Sequence, residues 1–184
     1  MTHSSPPAAR TAAVAVPAVV GVLVAVGLGV YGRVHEPTLV SVNVAGFSSP
    51  GAVKSWLATA AFALALVQLG SALVMWGKVP GLAAPSWIGG LHRWSGRLAV
   101  LVTVPVAVHC LYALGFDFSS PRALVHSLLG CFFYGVFVTK MLALSRPNLP
   151  GWSLPVIGGL TFSALTGLWL TASVWFFTTK GLTF

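Results

Sequence analysis

Apolar positions in this chain do not alternate with polar ones at a helical or strand period. They come in five nearly unbroken runs, separated by short stretches rich in Pro, Gly and Ser. The runs cover residues 12–31, 52–76, 91–116, 122–144 and 155–177. At 1.5 Å of rise per residue, a helix needs about 20 apolar residues to cross the hydrocarbon of a bilayer, and each run reaches that length. The pattern therefore predicts an all-α, polytopic membrane helix bundle of five transmembrane helices. A polar segment, MTHSSPPAART over residues 1–11, is expected to be disordered, and TTKGLTF over 178–184 to form a short tail.

The breaks support these boundaries. GKVPGLAAPSWIGG and SRPNLPGW each combine prolines with glycine, which ends helices, and GRVHEPTLVSVNVAGFSSPG reads as a loop on the membrane surface. Lys54 with Trp56, and Trp76 with Lys78, bracket the second run as interfacial anchors. The fifth run carries Gly159, Ser163, Gly167 and Thr171 every four residues, a stripe that permits close helix packing. Gln68, the one strongly polar residue inside the second run, reads as an interhelical hydrogen-bonding group.

Composition agrees with this pattern: the 184 residues are 57% hydrophobic and 7% charged. Soluble domains carry far more charge, about a quarter of their residues. The formal charge of +8 does not indicate nucleic acid, because the ten Lys and Arg are scattered in ones and twos at the ends of apolar runs. With five spans, Arg10, Lys78, Arg93, Arg97, Lys140 and Arg146 share one side, and Arg33, Lys54, Arg122 and Lys180 the other. The excess of six over four predicts a cytoplasmic N-terminus and an outside C-terminus in a bacterial plasma membrane. Cys110 and Cys131 lie within apolar runs without CxxC or CxxCH spacing, so neither a disulfide framework nor covalent haem attachment is suggested.

The candidate chemistry lies in residues 91–140, where His92, His109 and His126 sit in or beside spanning runs. Ionisable groups there are costly and mark functional sites. His109 lies about seven residues before the end of the third run and His126 about four after the start of the fourth, depths of roughly 10 Å and 6 Å from the same boundary. Two antiparallel neighbours then offer one imidazole each at nearly one level, as axial ligation of a b-type haem requires. Gly130, one turn after His126, would let a macrocycle approach the backbone, and Pro105 should bend the third helix. His92 stands 17 residues before His109. That is roughly 26 Å along the helix, so the two cannot share a haem. His92 is either a ligand of a second haem, with Met75 or Met141 as partner, or a boundary residue. Arg93 and Arg97, four apart, could hold lipid phosphate, haem propionates or an anionic reductant. His35, beside Glu36, reads as a solvated or ion-paired loop histidine.

HRWSGRLAV followed by VAVHCLYALGF resembles the third-helix pattern of ferric-reductase-like and related b-type transmembrane cytochromes, where His-Arg-x-x-Gly-Arg precedes a second histidine on the same helix. The resemblance runs from His92 to Phe116 and implies haem b. In that family the two histidines lie closer together and serve two stacked haems, and a second helix repeats the pair. Here the fourth helix has only His126 and the fifth has none, so one haem is the safer transfer. More of the chain, including HEPT, KSWLATAA, VHSLLGCFFYG and PGWSLPVIGG, resembles an uncharacterised family of small actinobacterial membrane proteins.

The expected function is electron transfer by a membrane cytochrome of b type, an oxidoreductase subunit if enzymatic. Flavin and nicotinamide are not expected, since no GxGxxG is present, so electrons must pass to or from a redox partner protein or quinone. Homo- or hetero-oligomers are compatible with this. The alternative is a haem-free structural or assembly subunit of a membrane complex; transport is a weaker third reading, because no acid lies in mid-membrane.

Overall fold

A computed structural model describes residues 7–147 and 149–184, with side chains from residue 13 onward. The protein is all-helical: α1 (Pro7–Val34), α2 (Pro50–Met75), α3 (Ile88–Val108), α4 (Pro121–Leu144), α5 (Ser153–Trp169) and α6 (Trp175–Lys180). A π-helical turn, His109–Leu114, prolongs α3, and a second, Leu170–Val174, joins α5 to α6. Among the described residues, five helical stretches are long and apolar enough to span a membrane: Ala13–Val34, Pro50–Met75, Ile88–Leu114, Pro121–Leu144 and Ser153–Lys180. Only 11 to 17% of each window is buried inside the protein. The apolar side chains therefore face outward, as lipid-exposed helices require.

Most ends differ from the sequence expectation by a few residues, for local reasons. α2 and α4 begin at Pro50 and Pro121, ahead of the expected 52 and 122, because proline suits the first helical position, where no N–H is needed. The preceding serines cap both helices, each hydroxyl satisfying an amide that has no partner inside the helix. Ser49 Oγ accepts from the Ala52 amide at 3.1 Å. Ser120 Oγ accepts from the Ala123 amide at 3.2 Å. α6 runs to Lys180 and stops at Gly181, whose φ of 81° lies in the left-handed region. α1 begins at Pro7, inside the segment expected to be disordered; residues 1–6, and with them His3, lie outside the described residues.

The chain divides into two compact units. The first comprises Met1–Glu36 and Gly115–Gly167; the second Pro37–Leu114 and Leu168–Phe184.

In the first unit α1 packs antiparallel against α4 through small residues. A Cβ on Gly135 would stand 2.6 Å from the Gly21 carbonyl oxygen and 2.8 Å from Ala25 Cβ. The two backbones thus approach as closely as glycine allows. Thr139 Oγ1 lies 3.0 Å from the Gly135 carbonyl and 3.3 Å from that of Pro17, reaching across the crossing. Further along, Cys131 Sγ faces Gly29, and the Phe116 amide donates to the Gly32 carbonyl at 2.7 Å. Gly167 of α5 meets Leu129, whereas Gly159 and Ser163 are exposed and a Cβ at Gly159 would touch nothing within 4 Å. The small-residue stripe of the fifth span is thus not packed along its length.

In the second unit α2 packs on α3 and on the far end of the fifth span. Trp169 Nε1 donates to Thr59 Oγ1 at 3.0 Å, its ring stacks on Phe62 at 4.3 Å, and Ser173 Oγ donates to the Ser55 carbonyl at 3.1 Å. The last residues are tied to the start of α2: Trp56 Nε1 donates to the Thr183 carbonyl at 2.9 Å and its ring stacks on Phe184 at 4.5 Å.

Candidate functional site

The second unit contains a polar seam between α2 and α3, built from the HRWSG stretch and Gln68. Ser71 Oγ lies 2.7 Å from the Val67 carbonyl and 3.1 Å from that of Gln68. It is also hydrogen-bonded to Nδ1 of His92, 2.9 Å away. Gln68 Nε2 donates to Ser95 Oγ at 3.0 Å and to the His92 carbonyl. Gly96 makes the approach possible, because a Cβ there would stand 3.0 Å from three atoms of the Gln68 carboxamide. The interhelical hydrogen bonding expected of Gln68 is present. His92, Ser95 and Gly96, all within the HRWSGR segment, take part in this packing.

Arg93 and Arg97 flank the seam and are exposed. Arg97 lies over the Trp94 ring, 5.1 Å from its centroid, a cation–π pair one turn apart.

His109, half-buried, follows the last residue of α3 and is the first of the π turn; its amide reaches the carbonyls of both Pro105 and Val106. Pro105 lacks an N–H and disturbs the ladder at this point, and π turns recur at functional sites. The end of the turn is closed by the loop after α1. The Thr38 and Leu39 amides donate to the Tyr112 and Ala113 carbonyls at 3.3 and 3.1 Å. Leu39 does so with a φ of 57°. That conformation is costly for a residue other than glycine and is held here by the hydrogen bond. Sequence reasoning missed this clamp, since HEPTL carries no motif for capping a distant helix.

In the first unit His126, also half-buried, occupies the second turn of α4. Helical geometry places it on the side opposite Gly135, which faces α1, and on the same side as Gly130 one turn later. The neighbouring Ser127 pins this turn to the loop: its Oγ accepts from the Asp117 amide and donates to the Asp117 carbonyl, both at 3.1 Å. Asp117 in turn accepts from the Ser119 amide at 2.8 Å. The Ser119 side chain and amide hold its carboxyl below the usual carboxylate range, with a further contribution from the Arg122 charge. His35 stacks on Tyr31, ring centroids 4.9 Å apart, at the end of α1.

His109 and His126 therefore belong to different units, and each lies five residues from the loop end of its own span, at Leu114 and Pro121. Among the described residues no three His, Cys, Asp or Glu side chains converge as a metal cluster would need.

A family model matches residues 14–184, nearly the whole chain. The protein belongs to DUF6529, a family of unknown function. The DUF6529 match takes in the five spanning stretches, the first from residue 14, and His35, His92, His109 and His126. No curated protein and no solved structure matches the chain.

Proposed function

We propose that this DUF6529 protein is a b-type cytochrome of a bacterial plasma membrane, in which His109 and His126 would hold one haem and the protein would pass single electrons. The N-terminus is cytoplasmic in this reading, following the distribution of Lys and Arg. What supports it is a count along the chain: each histidine lies five residues from the loop end of its own span, at Leu114 and Pro121. The pairing itself rests on the sequence, and each histidine has local support of its own. His109 opens a π turn behind a proline, and His126 stands on a helix side shared with Gly130 and opposite the α1 contact. When bound, the haem supplies a one-electron couple whose potential depends on ligand type and burial.

The chain's own residues would orient and shield the group. Ser127 and Asp117 fix the helical turn that carries His126, and the Thr38 and Leu39 amides fix the turn that begins at His109. His92 acts as a packing residue in this reading, its Nδ1 engaged by Ser71. A redox partner protein or membrane quinone exchanges the electron.

A pyridine haemochrome assay on protein purified from haem-replete cells tests the proposal. One haem b per chain is expected. Haem-free, folded protein would favour the alternative of a structural or assembly subunit, which the hydrogen-bonded packing role of His92 already suits.

A further inference from the structure

At the C-terminal end of α1 the first unit has an open groove of about 520 Å³, lined by Val26, Gly29, Val30, Arg33, Val34, Phe116 and Phe118. Its walls are hydrocarbon and aromatic, and Arg33 is the one side chain in the lining that carries charge or hydrogen-bond donors. The guanidinium lies over the Phe118 ring, 5.0 Å from the centroid, which holds its plane at the rim. Val26 and Val30, 56% and 54% exposed, present the groove outward from a spanning helix, toward lipid.

We propose that this groove binds one anionic membrane phospholipid, an acyl chain lying along Val26, Gly29 and Val30 and the phosphate held by Arg33. Three features favour this occupant. The apolar walls offer nothing to hydrogen-bond a sugar or peptide but suit an alkyl chain. The cation stands at the end of the span, where a phosphate would lie, and a guanidinium matches a phosphate oxygen pair. The Asp117 carboxylate, between the lining residues Phe116 and Phe118, is engaged by the Ser119 amide. Among the described residues no ion pair is formed by Arg33. The site is independent of the haem reading and stands whether or not iron is bound.

Native mass spectrometry of the full chain released from nanodiscs of phosphatidylcholine doped with phosphatidylglycerol tests it. Wild-type protein should retain one phosphatidylglycerol in preference to phosphatidylcholine. Arg33→Gln should lower that retention about fivefold, the effect of one basic side chain near a membrane surface. Val30→Trp, a groove-filling change at an exposed position, should lower it similarly, and Arg146→Gln, at an exposed position outside the groove, should leave it unchanged. Equal retention of the two lipids by the wild type would overturn the proposal. So would an equal loss in Arg146→Gln, which would reveal general attraction to basic residues. Arg33 is exposed, so Arg33→Gln carries the test even if Val30→Trp fails to fold.

Discussion

The Ser71 hydroxyl of α2 and the Nδ1 of His92 on α3 lie 2.9 Å apart, a hydrogen bond between neighbouring membrane helices. It makes His92 part of a packing device with Gln68, Ser95 and Gly96. A double-mutant cycle of Ser71→Ala and His92→Ala, read by thermal unfolding in detergent, should give a coupling of about 0.6 kcal/mol, typical of interhelical hydrogen bonds in membranes. Zero coupling would mean that the contact contributes nothing beyond proximity.

Gly96 and Gly70 should respond differently to a larger side chain. At Gly96 the added atom meets Gln68 at 3.0 Å, whereas at Gly70 it meets nothing within 4 Å. Gly96→Leu is expected to lower the melting temperature, because the Gln68 side chain must leave Ser95, while Gly70→Leu leaves it nearly unchanged. Gly96→Ala should fall between them, since a flexible carboxamide can yield by a few tenths of an ångström.

The α1–α4 crossing is less forgiving, because the obstacle is backbone. A Cβ on Gly135 would lie 2.6 Å from the Gly21 carbonyl oxygen. Gly135→Ala must therefore push the helices apart, at a cost of about 1–3 kcal/mol. Gly27→Ala, at a position with nothing within 4 Å, is the matched control and should be neutral. Comparison of their unfolding midpoints checks the prediction.

Asp117 gives the loop before α4 a pH dependence. Its folded carboxyl is held below its ordinary value by Ser119, so the ionised form stabilises the fold. That contribution is present above the unfolded carboxylate pKa of about 3.9 and is lost as pH falls through the lower folded value. Asp117→Asn should therefore be less stable than wild type at pH 5, with the difference closing below about pH 4. A difference that stayed constant through that range would assign the effect to the side chain's shape instead of its charge.

The five spans were legible because a membrane helix must satisfy its own backbone and turn apolar side chains outward, which leaves long apolar runs in the sequence. Gln68 was legible for the same reason, since a carboxamide inside such a run needs a partner. The partners were not legible. Nothing in the order of residues says that Ser71 will meet His92, or that Gly96 will make room for Gln68, because those meetings depend on helix rotation. Pro105 signalled a disturbance in α3 but not its form, a π turn beginning at His109. The starts of α2 and α4 at Ser-Pro were present in the sequence, yet proline in a glycine- and serine-rich stretch reads equally as loop. For the histidines, residue type and depth along the helix were available; their hydrogen-bond surroundings required the fold.

The central claim is most directly tested by the dithionite-reduced minus oxidised absorbance spectrum of purified wild-type protein and its single histidine variants. A b-type α-band should appear in the wild type and in His92→Ala, and should be absent from folded His109→Ala and His126→Ala. A band that survives loss of His109 or His126, or that is lost with His92 alone, would contradict the assignment.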